Sequence, residues 1–244
     1  MTTEPHEHLS EAVLRPVRGH HAFETCVEQL ALAIRLGVYP VGSALPPERE
    51  LATRLTVSRA TLREAMAALR QAALVETTRG RGGGTVVTRG ARHPFGRKLS
   101  RISSAQRRDW LDALEFRRIV EPGAAYLAAA ASLTSDQQDQ LEDARTRVSA
   151  ASRPDEHRQA DSRFHLTVAS LTRSDRTIDA VTSVQAALHE MLGSIPVLEP
   201  NISHSHLQHD RLVSAVVRGK PDRARRVMEE HCDDTAALLR GLLG

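Results

Sequence analysis

Apolar residues recur at helical spacing along most of this chain and give way to strand-like runs at one place only. From Ala22 to Leu36, the positions Val27, Leu30, Ala31 and Ile34 mark a first helix that Gly37 stops. After the turn-rich segment GVYPVGSALPP, Glu48 to Leu55 and Ser58 to Ala73 predict a second and a third helix. The run LVETTRGRGGGTVVTR then predicts two short strands around a glycine loop. Three helices and a hairpin make a winged helix-turn-helix. Beyond it the pattern predicts six more helices, at about 109–131, 135–151, 155–172, 176–193, 203–218 and 221–241, separated by Pro, Gly, Ser or Asp. Such a series packs as an antiparallel all-helical bundle. The expected fold is therefore mainly α. A flexible arm covers 1–20, a winged helix-turn-helix 21–90, a linker 91–108 and a helical effector-binding and dimerisation domain 109–244.

Charge is divided along the same boundary. Residues 1–98 hold 14 Lys or Arg against 9 Asp or Glu, and the remainder 19 against 21, within a net charge of +3. A basic head on a near-neutral body suits a polyanion-binding module joined to a part with another task. Aromatic residues make up only 3% of the chain, too little for the stacking platforms that read single-stranded nucleic acid. No run approaches a membrane span, and MTTEPHEHLSEAVLRPVRGHH lacks the apolar core of a signal peptide. Cys26 and Cys232 lie far apart, without metal or redox spacing. The expectation is a cytoplasmic protein with no disulfide and no membrane partner.

The head carries the clearest chemistry. Ser58 can cap the third helix through its hydroxyl, which puts Arg59, Thr61 and Arg63 in the first turns, where a helix-turn-helix meets base edges and phosphates. Arg49 at the start of the second helix and Arg79 and Arg81 in the wing would project from the same side. A guanidinium can fork onto guanine or neutralise a phosphate, and the glycines from Gly80 to Gly84 let the wing backbone come close to the minor groove.

These residues, LPPERELATRLTVSRATLREAMAALR followed by LVETTRGRGGGTVV, resemble the N-terminal domain of GntR-family bacterial regulators over about 22–88. The resemblance implies operator contacts at Arg49, Ser58, Arg59, Thr61, Arg63 and Gly80. Two positions depart from the family pattern: Pro47 stands where a capping Ser is frequent, and Ala73 where Gly commonly ends the third helix.

The second half holds polar groups on apolar faces. Asp161 and His165 share a helical stripe with Phe164, Val168 and Ala169. His209 precedes Leu212, Val213 and Val216, and His231 shares a stripe with Ala224, Val227, Met228 and Leu238. An unpaired buried carboxylate or imidazole is costly. One divalent transition metal would satisfy all four: zinc first, with nickel or manganese as alternatives. A hydrogen-bonded Asp161–His165 pair and core-satisfied histidines are the competing explanation. Arg117 and Glu121 lie on the stripe of Trp110, Leu114, Ala124 and Ala128, so they form either a structural ion pair or a carboxylate-binding site.

Three segments, EFRRIVEPGAAYLAAAA at 115–131, DSRFH at 161–165 and HDRLVSAVVRGKPDRARRVMEEH at 209–231, resemble the FCD ligand-binding domain of the FadR-type branch of that family. The resemblance implies a metal on Asp161, His165, His209 and His231 at the floor of an effector pocket. It also implies that Arg117, beside Glu121, helps hold an acidic effector. The sequence departs from the family at Arg173 and Ser174, where Gly and Asn are common, and at Lys220, where a capping Asp is frequent.

The resulting expectation is a transcriptional repressor rather than an enzyme. A homodimer would bind a palindromic double-stranded operator, and a small carboxylate would modulate it. A metal-dependent enzyme or a direct metal sensor built on the same Asp/His set is the alternative.

Overall fold

The computed structural model describes Leu14 and residues 22–71, 73–78, 84–88, 102–194 and 199–243. The predicted arm, apart from Leu14, and most of the predicted linker lie outside the described residues. So do Arg79, Gly80 and Arg81, which the sequence predicts for the wing. The chain divides into two compact units, Met1–His93 and Pro94–Gly244.

In the first unit α1 (Ala22–Arg35), α2 (Glu48–Leu55) and α3 (Arg59–Gln71) precede β1 (Val75–Thr77) and β2 (Thr85–Val87). Helix α3 packs on α1, α2 and β1. Its buried positions Leu62, Ala65, Met66 and Leu69 follow the i, i+3, i+4, i+7 rule, and Leu30 of α1 and Leu51 and Leu55 of α2 are buried as well. The strands are antiparallel, with Val75 opposite Val87 and Thr77 opposite Thr85. The segment read as turn-rich also feeds this sheet. Leu45 N donates to Thr85 O at 2.8 Å and Val87 N to Ser43 O at 2.9 Å, which covers the outer edge of β2.

Left-handed residues end the helices here. After α1, Gly37 has φ 70°, Gly37 N donates to Ile34 O and Val38 N to Ala33 O. This paired closure recurs after α3, where Ala73 has φ 56°, its N–H bonds to Arg70 O and Leu74 N bonds to Leu69 O. The absent glycine at 73 therefore has left the geometry unchanged, with an alanine carrying the left-handed strain. Thr56, φ 55°, does the same between α2 and α3.

The second unit holds α4 (Ser104–Ala130), α5 (Ser135–Ala150), α6 (Pro154–Ser170), α7 (Asp175–Gly193), α8 (Glu199–Val217) and α9 (Pro221–Leu243). Helix α4 begins at 104, not 109, which shortens the predicted linker. Ser103 Oγ accepts from Gln106 N at 3.1 Å, and Ile102 packs against the cluster around Trp110 and Leu114. A cap and an apolar anchor just upstream thus extend the helix. Pro122 lies inside α4, which stays continuous as the neighbouring helices pack around it. α8 likewise starts four residues before the predicted 203, at Glu199.

Helix α4 runs along α9 and α7 and also touches α6 and α8, while α5 packs on α6 and α8. Every residue of α6 from Asp161 to Ala169 is buried, so this helix is enclosed rather than amphipathic. That enclosure places its polar side chains in the interior. Among the described residues no helix is long and apolar enough to cross a membrane.

Candidate nucleic-acid interface and metal centre

Ser58 caps α3 as the sequence predicts: its Oγ accepts from Thr61 N at 3.0 Å and sits 2.8 Å from Thr61 Oγ1. The cap fixes the helix start and holds the Thr61 hydroxyl locally. Arg49, Arg59 and Arg63 are exposed, and the last makes a 3.5 Å contact with the partly exposed Glu48. A pair so open to solvent yields readily to a phosphate. Behind the exposed face, Arg70 Nη1 donates to Thr77 Oγ1 at 3.4 Å, and Thr77 Oγ1 lies 2.9 Å from Thr85 Oγ1, tying α3 to the wing strands.

The enclosed helix α6 brings Asp161 and His165 to meet His209 from α8 and His231 from α9. One ring nitrogen from each of the three histidines lies within 4.8 Å of the others. Asp161 stands 3.6 Å from His209 Nε2 and 3.9 Å from His165 Nε2. Three elements far apart in sequence thus supply four ligand-type groups to one buried place. Nε2 of all three histidines is buried with no hydrogen-bond partner among the described residues. Left so, three imidazoles would be under-satisfied, whereas an ion among them would accept three lone pairs and a carboxylate.

What lies behind the rings favours that use. His231 Nδ1 is 3.0 Å from Gln208 Oε1, Gln208 Nε2 donates to Asp234 Oδ2 at 2.7 Å, and His204 Nε2 lies 3.0 Å from the same oxygen. The Asp234 carboxylate accepts only, so the Gln208 amide is oriented to accept the Nδ1 proton of His231, leaving Nε2 with its lone pair. His165 Nδ1 lies 2.9 Å from Glu121 Oε2, a close contact with a carboxylate but not an aligned hydrogen bond. Burial holds His209 well below the ordinary histidine range, with His165, His206 and His157 adding to it. Burial does the same to His231, aided by His209, Arg117 and His165. Both are neutral at physiological pH, the form that ligates metal.

Arg117 and Glu121 form the expected ion pair, Nε to Oε2 at 3.1 Å, both fully enclosed. Burial opposes the charge on each, yet their mutual attraction outweighs it. Glu121 is held well below the usual carboxylate range by Arg117 and His165, and Arg117 well above its own by Glu121, Cys232 and Asp161. Glu121 also accepts from Gln185 Nε2 through Oε1 at 2.6 Å. Both its oxygens are thus engaged within the protein, and a second carboxylate beside them would be repelled. Glu121 therefore presents no free oxygen to an incoming anion: Oε2 faces Arg117 and His165, and Oε1 faces Gln185. Arg117 differs, because Nη1 and Nη2 are buried with no partner among the described residues.

The sequence reading missed Gln185, Gln208 and His157. Gln185 lies within the buried run Val181, Val184 and Leu188, a signal that could have found it. His157 precedes Asp161 by four residues and His165 by eight, on the same face of α6.

Comparison with known families identifies both domains. Residues 23–87 match the model of bacterial regulatory proteins of the gntR family, and 112–234 match that of the FCD domain. The HTH-type transcriptional regulator RmpR of Mycobacterium gastri is 31% identical over 218 residues, covering 85% of this chain and 76% of that protein. The Glc operon transcriptional activator of Escherichia coli K12 is 29% identical over 221 residues, covering 85% of each. Among solved structures, E. coli McbR/YncC is 14% identical with a TM-score of 0.54, covering 93% of this chain and 100% of that one; it shares the fold. The chain belongs to the GntR family of bacterial transcriptional regulators, with an FCD domain following its DNA-binding domain in sequence. These families and relatives are regulators, not enzymes, so the catalytic reading of the Asp/His set falls away.

Proposed function

We propose that this DNA-binding regulator is a repressor whose FCD domain holds a divalent metal and a small organic acid, and that binding of the acid weakens the grip on a palindromic operator. The observation that carries this reading is the set of buried, unpartnered donors in one place: Nε2 of His165, His209 and His231, and both Nη atoms of Arg117. Asp161 and the three imidazoles would hold the ion, which would offer an acid's oxygens a cation; zinc fits this donor set first. Arg117 would fork onto the acid's carboxylate, satisfying two guanidinium donors at once. Because Glu121 engages Arg117 through Nε, the buried Nη1 and Nη2 donors stay available.

The operator-bound form is a dimer of two copies, since one recognition helix reads only a few base pairs. An exposed apolar stripe on α4, formed by Phe116, Ile119, Tyr126 and Leu127, supports pairing with a second copy. Ile119 is 73% exposed, unusual for a large aliphatic side chain on a helix.

The test is operator affinity by fluorescence anisotropy on a palindrome selected from random duplexes, with Zn²⁺ alone, carboxylic acids alone, and both. The expected result is a loss of affinity of about 5- to 150-fold with both, the usual range of coupling between two sites. It should vanish in Arg117→Met. Full response to metal without any acid would instead make the ion itself the signal, and tightened binding would assign activation, the role named for the E. coli relative.

A further inference from the structure

We propose that His157 and His206 form a second divalent-metal site on the solvent side of the buried one and act as its point of entry. The inference goes beyond the buried centre proposed above and rests on it for the entry role alone. His157 Nε2 and His206 Nε2 stand 3.1 Å apart, and their ring centroids 5.3 Å. Two nitrogens bound to one ion at about 2.0–2.1 Å each stand about 3 Å apart, so the rings already hold the spacing of a chelating pair. Without the ion the same contact is a hydrogen bond in which one imidazole donates and the other accepts.

Position supports the entry role. On α6 His157, Asp161 and His165 follow one another at four-residue steps, a single file with about 6 Å between members. On α8 His206 precedes His209 by three residues, on the same face. Burial deepens along the file: His157 and His206 are half-buried, Asp161 is nearly enclosed, and His165, His209 and His231 are enclosed. Asp161, one turn of α6 beyond His157, reaches within 3.6 Å of His209 Nε2 and 3.9 Å of His165 Nε2, so the next ligand-type group along the file already belongs to the inner set. An ion that must shed its waters to reach an enclosed site does so more easily by exchanging ligands stepwise than by crossing apolar packing bare. With two protein ligands the outer site keeps most of its waters and binds more weakly.

The experiment uses the full chain stripped of metal and titrated with Zn²⁺. Calorimetry counts the ions, and stopped-flow transfer from a chromophoric chelator times their uptake. Two ions per chain are expected, the second at least 100-fold weaker. His157→Gln and His206→Gln should each remove the weak ion, keep the tight one and slow its loading at least tenfold. Melting curves of the metal-free variants verify their fold. The double variant His165→Ala with His231→Ala should lose the tight ion and keep the weak one. A weak ion that survives both Gln substitutions, or loading within twofold of wild type, overturns the entry site while leaving the buried centre standing. A wild-type chain that takes no tight ion overturns the buried centre and the entry role together.

Discussion

His165 Nδ1 lies 2.9 Å from Glu121 Oε2, and the same oxygen lies 3.1 Å from Arg117 Nε. One carboxylate atom therefore joins a candidate metal ligand to a candidate anion receptor, carried on helices α6 and α4. Charge at either end is felt at the other through these direct contacts. On the function proposed above, this is the path by which a bound ion and a bound acid would be coupled.

Glu121→Gln should expose that coupling. It removes the charge that stabilises Arg117 and weakens the polarisation of His165. Leaving a buried cation uncompensated costs about 3–5 kcal/mol, and loss of such a supporting group costs about 10- to 100-fold in metal affinity. Chemical denaturation of the metal-free protein and competition with a zinc chelator measure the two effects separately. Unchanged zinc affinity in a folded variant would remove Glu121 from the metal's support.

Chelator treatment should lower the melting temperature of the FCD domain. An ion at 100 times its Kd stabilises the folded form by about 2.7 kcal/mol, and that increment should disappear in His209→Ala and His231→Ala. Differential scanning calorimetry with and without EDTA reads the difference.

On the DNA side, Arg59→Ala and Arg63→Ala should each weaken operator binding by about 1–3 kcal/mol if they read bases. Each should lower the salt slope by about one if it holds a phosphate. Ser58→Ala should cost about 1 kcal/mol of stability through the lost cap. Operator affinity equal to wild type in both arginine variants would contradict the assigned face.

Ala73→Gly and Arg173→Gly should stabilise their domains by about 1 kcal/mol each, because both residues hold φ 56°, where a side chain clashes with its own backbone. Thermal melts of the single variants test this, and a loss of stability in both would show that the backbone relaxes without strain.

Burial pushes the Cys26 thiol up from 9.0 to about 11. Since the folded pKa lies above the unfolded one, its contribution to stability is complete below pH 9 and is lost as pH rises through about 11. Native protein at pH 8 should therefore resist iodoacetamide at Cys26, with alkylation appearing on denaturation. Mass-spectrometric mapping checks it.

Much was legible because local rules bind local sequence. The Ser58 cap, the α3 stripe and the hairpin arise from neighbours in the chain, so they could be read from spacing. The stripe from Trp110 through Arg117 and Glu121 to Ala128 likewise told that two charged groups face inward. Its limit shows at α6, where a stripe rule places one face inward while Arg163, off that stripe, is buried too. Enclosure on all sides depends on how many helices surround one, and no period within α6 records that.

The amino-acid sequence by itself determined the helices, the winged head, the caps and which polar residues would leave water. The tertiary structure decided which of those met. His165, His209 and His231 converge only because α6, α8 and α9 pack with particular rotations, and Glu121 is drawn to His165 and Gln185 by α6 and α7 lying against α4. Each residue along a helix turns its side chain by about 100°, so spacing fixes a face relative to its own helix. The direction in which that face looks is set by the packing of side chains contributed from elsewhere in the chain.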